Sequence, residues 1–73
     1  MSGVLNDSAS LSPRELEVLR WVAQGKSSRE ISVLLGITSR TVNEHVTSTV
    51  RKLSAKNRTH AVAIALREGI IEV

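Results

Sequence analysis

Seven residues in one short stretch carry the groups best suited to engage another polar molecule: Arg40, Thr41, Asn43, Glu44, Thr47, Ser48 and Arg51. Wound as a helix, the stretch puts Val42, Val46, Thr49, Val50 and Leu53 on one stripe. Six of the seven fall opposite that stripe, with Asn43 on its flank. Short polar side chains fringed by two arginines let a helix approach the floor of a nucleic-acid groove while the cations reach phosphates. The base-edge chemistry also fits: asparagine can pair with adenine, a carboxylate can accept from cytosine N4, and the Thr47 methyl can touch a thymine methyl. The competing reading is an ordinary solvent-facing surface, although such surfaces usually carry the long hydrated chains of Lys, Glu and Gln.

Other reactive groups fail to assemble. Glu15 and Glu17 lie two apart and point to different sides of a helix, so they are no catalytic carboxylate pair. Glu15 and Glu30 are better explained as cap partners. His45 and His60 have no Cys, His or acidic residue at ligand spacing, so neither a metal nor any other cofactor is expected. His45 borders the apolar stripe and is expected to pack there with a hydrogen bond to backbone; His60 is expected to be exposed. Cysteine, Phe and Tyr are absent, leaving Trp21 as the only aromatic residue. That composition excludes a disulfide scaffold and a single-strand binder built on stacked rings. A chain of 73 residues buries only about 60% of its unfolded surface and rarely encloses a substrate pocket, so no enzyme is expected.

Charge is unevenly placed. Between Lys26 and Arg58 seven cationic residues stand against Glu30 and Glu44, whereas the rest of the chain holds three against five. A basic middle in a slightly acidic frame suits a polyanionic partner. No apolar run approaches the length of a membrane span, and Met1 leads into Ser2, Gly3 and Asp7 rather than a secretory signal.

The elements that must hold the polar face follow from punctuation. Residues 1 to 11 show no period and read as a disordered lead. The domain boundary is set so that 1–10 form a tail, the end of a linker in a larger protein, and 11–73 the domain. Ser12-Pro13-Arg14-Glu15 is a capping box with proline at the first helical position. It opens a helix over 13–24 with Leu16, Leu19, Val22 and Ala23 at helical spacing, stopped by Gly25. Ser27 and Glu30 repeat the box for a second helix over 28–35, with Ile31, Leu34 and Leu35 as its buried stripe and Gly36 as its stop. Thr38 caps a third helix over 39–53. A strand over 46–50 would bury Thr47 or expose the valines, so helix is preferred. Asn57 caps a fourth helix over 58–68, closed by Gly69, after which Ile70 and Ile71 fold back on the core. The expected fold is all-α, a four-helix (tetrahelical) helix-turn-helix domain, with the second and third helices as the helix-turn-helix pair.

The fourth helix is apolar nearly all round, from Ala61 to Leu66. One face is expected to pack on the first and third helices. The other, with Ala61, Ile64 and Ala65, is expected to meet a twin across a two-fold axis; an exposed alanine-rich face is the alternative. Trp21 lies off the Leu19-Val22-Ala23 stripe, either half-buried against a neighbouring helix or in contact with a further domain or partner.

Five runs together resemble the LuxR-type DNA-binding domain, over about residues 11 to 71. They are Leu11-Ser12-Pro13-Arg14-Glu15 with Glu17-Val18-Leu19; Gly25-Lys26-Ser27-Ser28-Arg29-Glu30-Ile31; Leu35-Gly36-Ile37-Thr38 with Thr41-Val42 and His45; Lys52-Leu53; and Asn57-Arg58-Thr59 with Ala61-Val62. The run from Asn57 to Val62, together with Trp21, is most similar to the branch that senses acyl-homoserine lactones. The resemblance implies a cytoplasmic bacterial transcription regulator that binds double-stranded promoter DNA as a homodimer and works with RNA polymerase. It places Asn43, Glu44 and Thr47 at bases, and Lys26, Ser27, Thr38, Arg40, Thr41 and Arg51 near phosphates. Asn43 and Glu44 depart from the family, where many relatives carry a lysine or another basic or larger residue. Glu44 would repel phosphate unless it meets a base edge, so the operator does not carry over. Two rivals stand against this reading: a DNA-incompetent antagonist that pairs with a full-length regulator, keeping the fourth helix but not needing Arg40, Thr41 and Arg51, and a promoter reader similar to a sigma factor, which shares the helix pair.

Overall fold

Four helices succeed one another in the computed structural model, which describes residues 11–72: α1 (Pro13–Ala23), α2 (Ser28–Leu35), α3 (Ser39–Lys52) and α4 (Arg58–Arg67). The all-α reading holds, and no strand occurs among the described residues. Three expected ends shift by one residue: Gln24, Leu53 and Glu68 are C-caps rather than last helical residues. The tail expected over 1–10 lies outside the described residues.

Each helix begins where a side chain satisfies amides that have no partner within the helix. Ser12 Oγ accepts from the Glu15 amide at 3.0 Å while the Ser12 amide donates to Glu15 Oε1 at 2.8 Å. Ser27 and Glu30 repeat the exchange at 3.1 and 2.8 Å. Thr38 Oγ1 accepts from the Thr41 amide at 3.0 Å, and Asn57 Oδ1 from the His60 amide at 2.8 Å. Caps of this kind are worth about 1 kcal/mol each. Gly36 ends α2 at φ 69°, and a Cβ there would meet nothing within 4 Å, so left-handed backbone rather than crowding selects glycine. Ser54 takes the same left-handed region at φ 54° just after α3, without a glycine to announce it.

Two apolar clusters hold the helices together. Val18, Ile31 and Val42, all but inaccessible, join α1, α2 and α3, with Trp21, Leu35, Ile37 and Val46 packed around them. Leu11, Leu19, Leu53, Ala61, Ile64, Ala65 and Ile71 join α1, the end of α3, α4 and the C-terminal segment. Complete burial of a Val or Ile side chain contributes about 1.5–3 kcal/mol. Ile71 and Ile70 do return to the core, and the Ile70 amide donates to the Ala65 carbonyl at 2.8 Å. α3 packs on all three other helices, so its inner face is pinned along most of its length.

The structure corrects several expectations. Leu11 belongs to the core rather than to a disordered lead. It precedes the Ser12 cap and shares a cluster with Leu16, the pairing that staples a helix start. Leu34 is 50% exposed instead of buried, because α2 packs mainly on α3 and little on α1, leaving its outer side uncovered. Ala61, Ile64 and Ala65 cannot be a surface for a twin: they are 0%, 7% and 0% exposed and form the inner side of α4. The outward side of α4 is instead Thr59, Ala63, Leu66 and Arg67. Trp21 is half-buried against the Val18–Ile31–Val42 cluster.

Candidate nucleic-acid interface

Because Val42 and Thr49 anchor the inner side of α3, its opposite side is left facing outward. Thr49 is 2% exposed yet satisfied, since its hydroxyl donates to the His45 carbonyl one turn back at 2.8 Å. Arg40, Asn43, Glu44, Thr47, Ser48 and Arg51 line one open concavity on the outward side. Asn43, Glu44, Thr47 and both arginines are exposed, whereas Thr41 and Ser48 are partly covered. Arg40 Nε lies 3.7 Å from Glu44 Oε2, with side chains 90% and 65% exposed. A pair so open to water is worth well under 1 kcal/mol and yields readily to a competing anion. It also partners the carboxylate whose sign would otherwise oppose phosphate.

The remaining phosphate candidates sit where two helices start. Ser27 caps α2 and Thr38 caps α3, so both hydroxyl oxygens already accept an amide. Thr38 Oγ1 also donates to Thr41 Oγ1 at 3.0 Å. The Ser27 amide and hydroxyl bonds hold the Glu30 carboxyl below its ordinary value, as its cap role requires. The α2 start adjoins the polar face directly, because Ser28 Oγ donates to Asn43 Oδ1 at 2.6 Å. Ser28 Oγ in turn accepts from Arg58 Nη1 of α4 at 3.3 Å.

A second polar cluster, absent from the sequence reading, fixes the C-terminal half of α3. Lys52 Nζ donates to Glu15 Oε1 at 2.9 Å, with side chains 26% and 6% exposed. Burial pushes the Glu15 carboxyl up, but hydrogen bonds from Ser48, the Ser12 amide and Lys52 outweigh it and hold the group at about 2 against an ordinary 4.5. One carboxylate thus caps α1 and ties α1 to two successive turns of α3. Ser48 thus bonds to α1 while also lining the outer concavity, where its hydroxyl oxygen accepts from Arg51 Nη2 at 3.4 Å. Nothing in the sequence signals a contact between residues 37 apart.

Both histidines depart from expectation. His45 is half-buried, but the hydrogen bond found there uses its backbone carbonyl and not its ring. His60 is half-buried rather than exposed, and its Nδ1 accepts from the Lys56 amide at 3.0 Å, which braces the turn before α4. Among the described residues no cluster of three or more His, Cys, Asp or Glu could hold a metal. No helix among them is long and apolar enough to cross a membrane. Val33 and Leu34 stand exposed at 78% and 50%, next to Lys26 and Arg29.

This scaffold recurs in known proteins. The chain is 56% identical over 64 residues to the transcriptional activator protein BjaR1 of Bradyrhizobium diazoefficiens, covering 88% of this chain and 26% of that protein. It is 57% identical over 63 residues to the quorum sensing-dependent transcriptional regulator RpaR of Rhodopseudomonas palustris, covering 86% and 26%. The chain therefore spans about a quarter of the length of these curated relatives. The solved structure of the transcription factor GerE superposes with a TM-score of 0.81 at 32% identity, over 85% of this chain and 92% of that one. The family model described as bacterial regulatory proteins, luxR family, matches residues 9–65, and the chain thus belongs to the LuxR family of bacterial regulatory proteins.

Proposed function

We propose that this chain is the DNA-binding part of a regulator, and that it reads double-stranded promoter DNA by laying the outward side of α3 in the major groove. The carrying observation is that side itself: short polar residues left uncovered on a helix pinned from behind, with Arg40 and Arg51 at its two ends. Asn43, Glu44 and Thr47 contact base edges. Arg40, Thr41 and Arg51, with Lys26, Ser27 and Thr38 at the two helix starts, contact phosphates; α2 braces α3 across the backbone.

Two copies pair through the outward side of α4, where Leu66 is 38% exposed beside Ala63 and Thr59. Such small side chains bury little area, so pairing is weak in isolation and is reinforced by adjacent half-sites on DNA. RNA polymerase is the further partner, and the exposed Val33 and Leu34 offer apolar surface for a protein contact. The description of RpaR as a quorum sensing-dependent regulator supports a quorum-sensing context, and a reader of bacterial promoter DNA acts in the cytoplasm, where that DNA lies.

Selection of bound duplexes from a random pool tests this reading. An inverted repeat with half-site centres about one helical turn apart is expected. A pool that gains no motif would refute it.

A further inference from the structure

Asn43 stands at the end of a chain of polar contacts that begins on α4. Arg58 Nη1 donates to Ser28 Oγ at 3.3 Å, and Ser28 Oγ donates to Asn43 Oδ1 at 2.6 Å. Three helices thus meet through three side chains; Arg58 and Ser28 are half-buried, while Asn43 is exposed on the free side of α3. The direction of the chain follows from its first member. A guanidinium has only donors, so it occupies a lone pair of the Ser28 oxygen and leaves the single hydroxyl hydrogen for an acceptor. The acceptor on the Asn43 side chain is its amide oxygen. An unrestrained asparagine amide turns over at little cost and offers its donor and acceptor ends in either order. Here the oxygen is tied to α2 before any ligand arrives, so the order is fixed.

We propose that Ser28, oriented by Arg58, is a specificity-determining positioning residue: it sets how Asn43 meets a base edge while touching no base itself. This rests on the DNA-reading assignment of α3. Base pairs differ in the major groove by the order of donors and acceptors they present. An amide locked in one orientation discriminates among those orders, whereas a freely turning amide satisfies more than one. Docking against DNA removes water from the relay and strengthens each of its bonds.

Selection from random duplexes, repeated with four variants, tests the relay. Asn43→Ala identifies the base pair that Asn43 reads, as the position where preference disappears. Ser28→Ala is expected to lower discrimination at that same pair by about fivefold, the worth of one hydrogen bond, with the other positions and the salt dependence unchanged. Ser28→Thr restores the hydroxyl and the preference; Ser28→Val, of the same shape without the hydroxyl, does not. Wild-type preference at that pair in Ser28→Ala and Ser28→Val overturns the proposal. So does a loss spread evenly over all positions together with a lowered melting temperature, which would make Ser28 merely structural. Failure of the wild-type protein to enrich any motif overturns the DNA-reading assignment, and the relay with it.

Discussion

Replacing Glu15 by Gln removes one charge from the centre of the α1–α3 contact while keeping the shape and an acceptor for the Ser12 amide. The Glu15 carboxyl sits at about 2 instead of 4.5, and its side chain is 6% exposed. That gap corresponds to about 3 kcal/mol of folding stability. Because the folded-state value lies below the ordinary one, the contribution is complete above about pH 4.5 and disappears as pH falls through about 2. A domain of this length has roughly 4–11 kcal/mol in total, so the variant should melt roughly 10–25 °C below wild type at pH 7. Urea unfolding of both proteins between pH 7 and pH 2.5 gives the measurement. The stability difference should be largest at neutral pH and shrink steadily below pH 4.5, since protonation makes the wild-type residue resemble glutamine. A difference below about 0.5 kcal/mol at pH 7, or one that stays constant down to pH 2.5, would show that the carboxylate does not carry this energy.

The remaining expectations concern DNA and pairing. Arg40→Ala and Arg51→Ala should each weaken binding to random duplex and reduce the slope of log K against log salt by about one; unchanged slopes would remove them from the phosphate contacts. Thr47→Ala should relax base preference at one position by about 1–3 kcal/mol of discrimination, read by competition between duplexes, and an unaltered preference would exclude it from base contact. Ile64→Glu should abolish folding by placing a charge in the core, as circular dichroism will report, while Leu66→Glu should keep the fold and lose cooperative occupation of two half-sites. The reverse pattern would contradict the assignment of inner and outer sides of α4.

Local signals carried most of the fold. The serine, threonine and asparagine caps and the glycine stops define helices to within one residue because they act over three or four positions. The outward side of α3 was equally legible, since Val42 and Thr49 determine which way it must turn. Long-range pairings were not: Lys52 meets Glu15 and Arg58 meets Ser28 only after the helices pack. α4 misled for a related reason. An apolar circumference says that one side is buried, but not which; the contacts with α1 and α3 select Ala61, Ile64 and Ala65. Leu11 was overlooked because an apolar residue just before a cap carries no period, though its spacing to Leu16 is the signature of a staple.

The central claim, that the outward side of α3 meets DNA, is tested most directly by following backbone amide resonances while a selected duplex is titrated in at low salt. Large shifts should concentrate on residues 38–51 and on the start of α2 at 26–28, with the half-buried Arg14 and Glu17 and the exposed Arg20 of α1 left nearly unchanged in environment. Shifts confined to α1 or α4, with 40–51 unmoved at saturation, would contradict it.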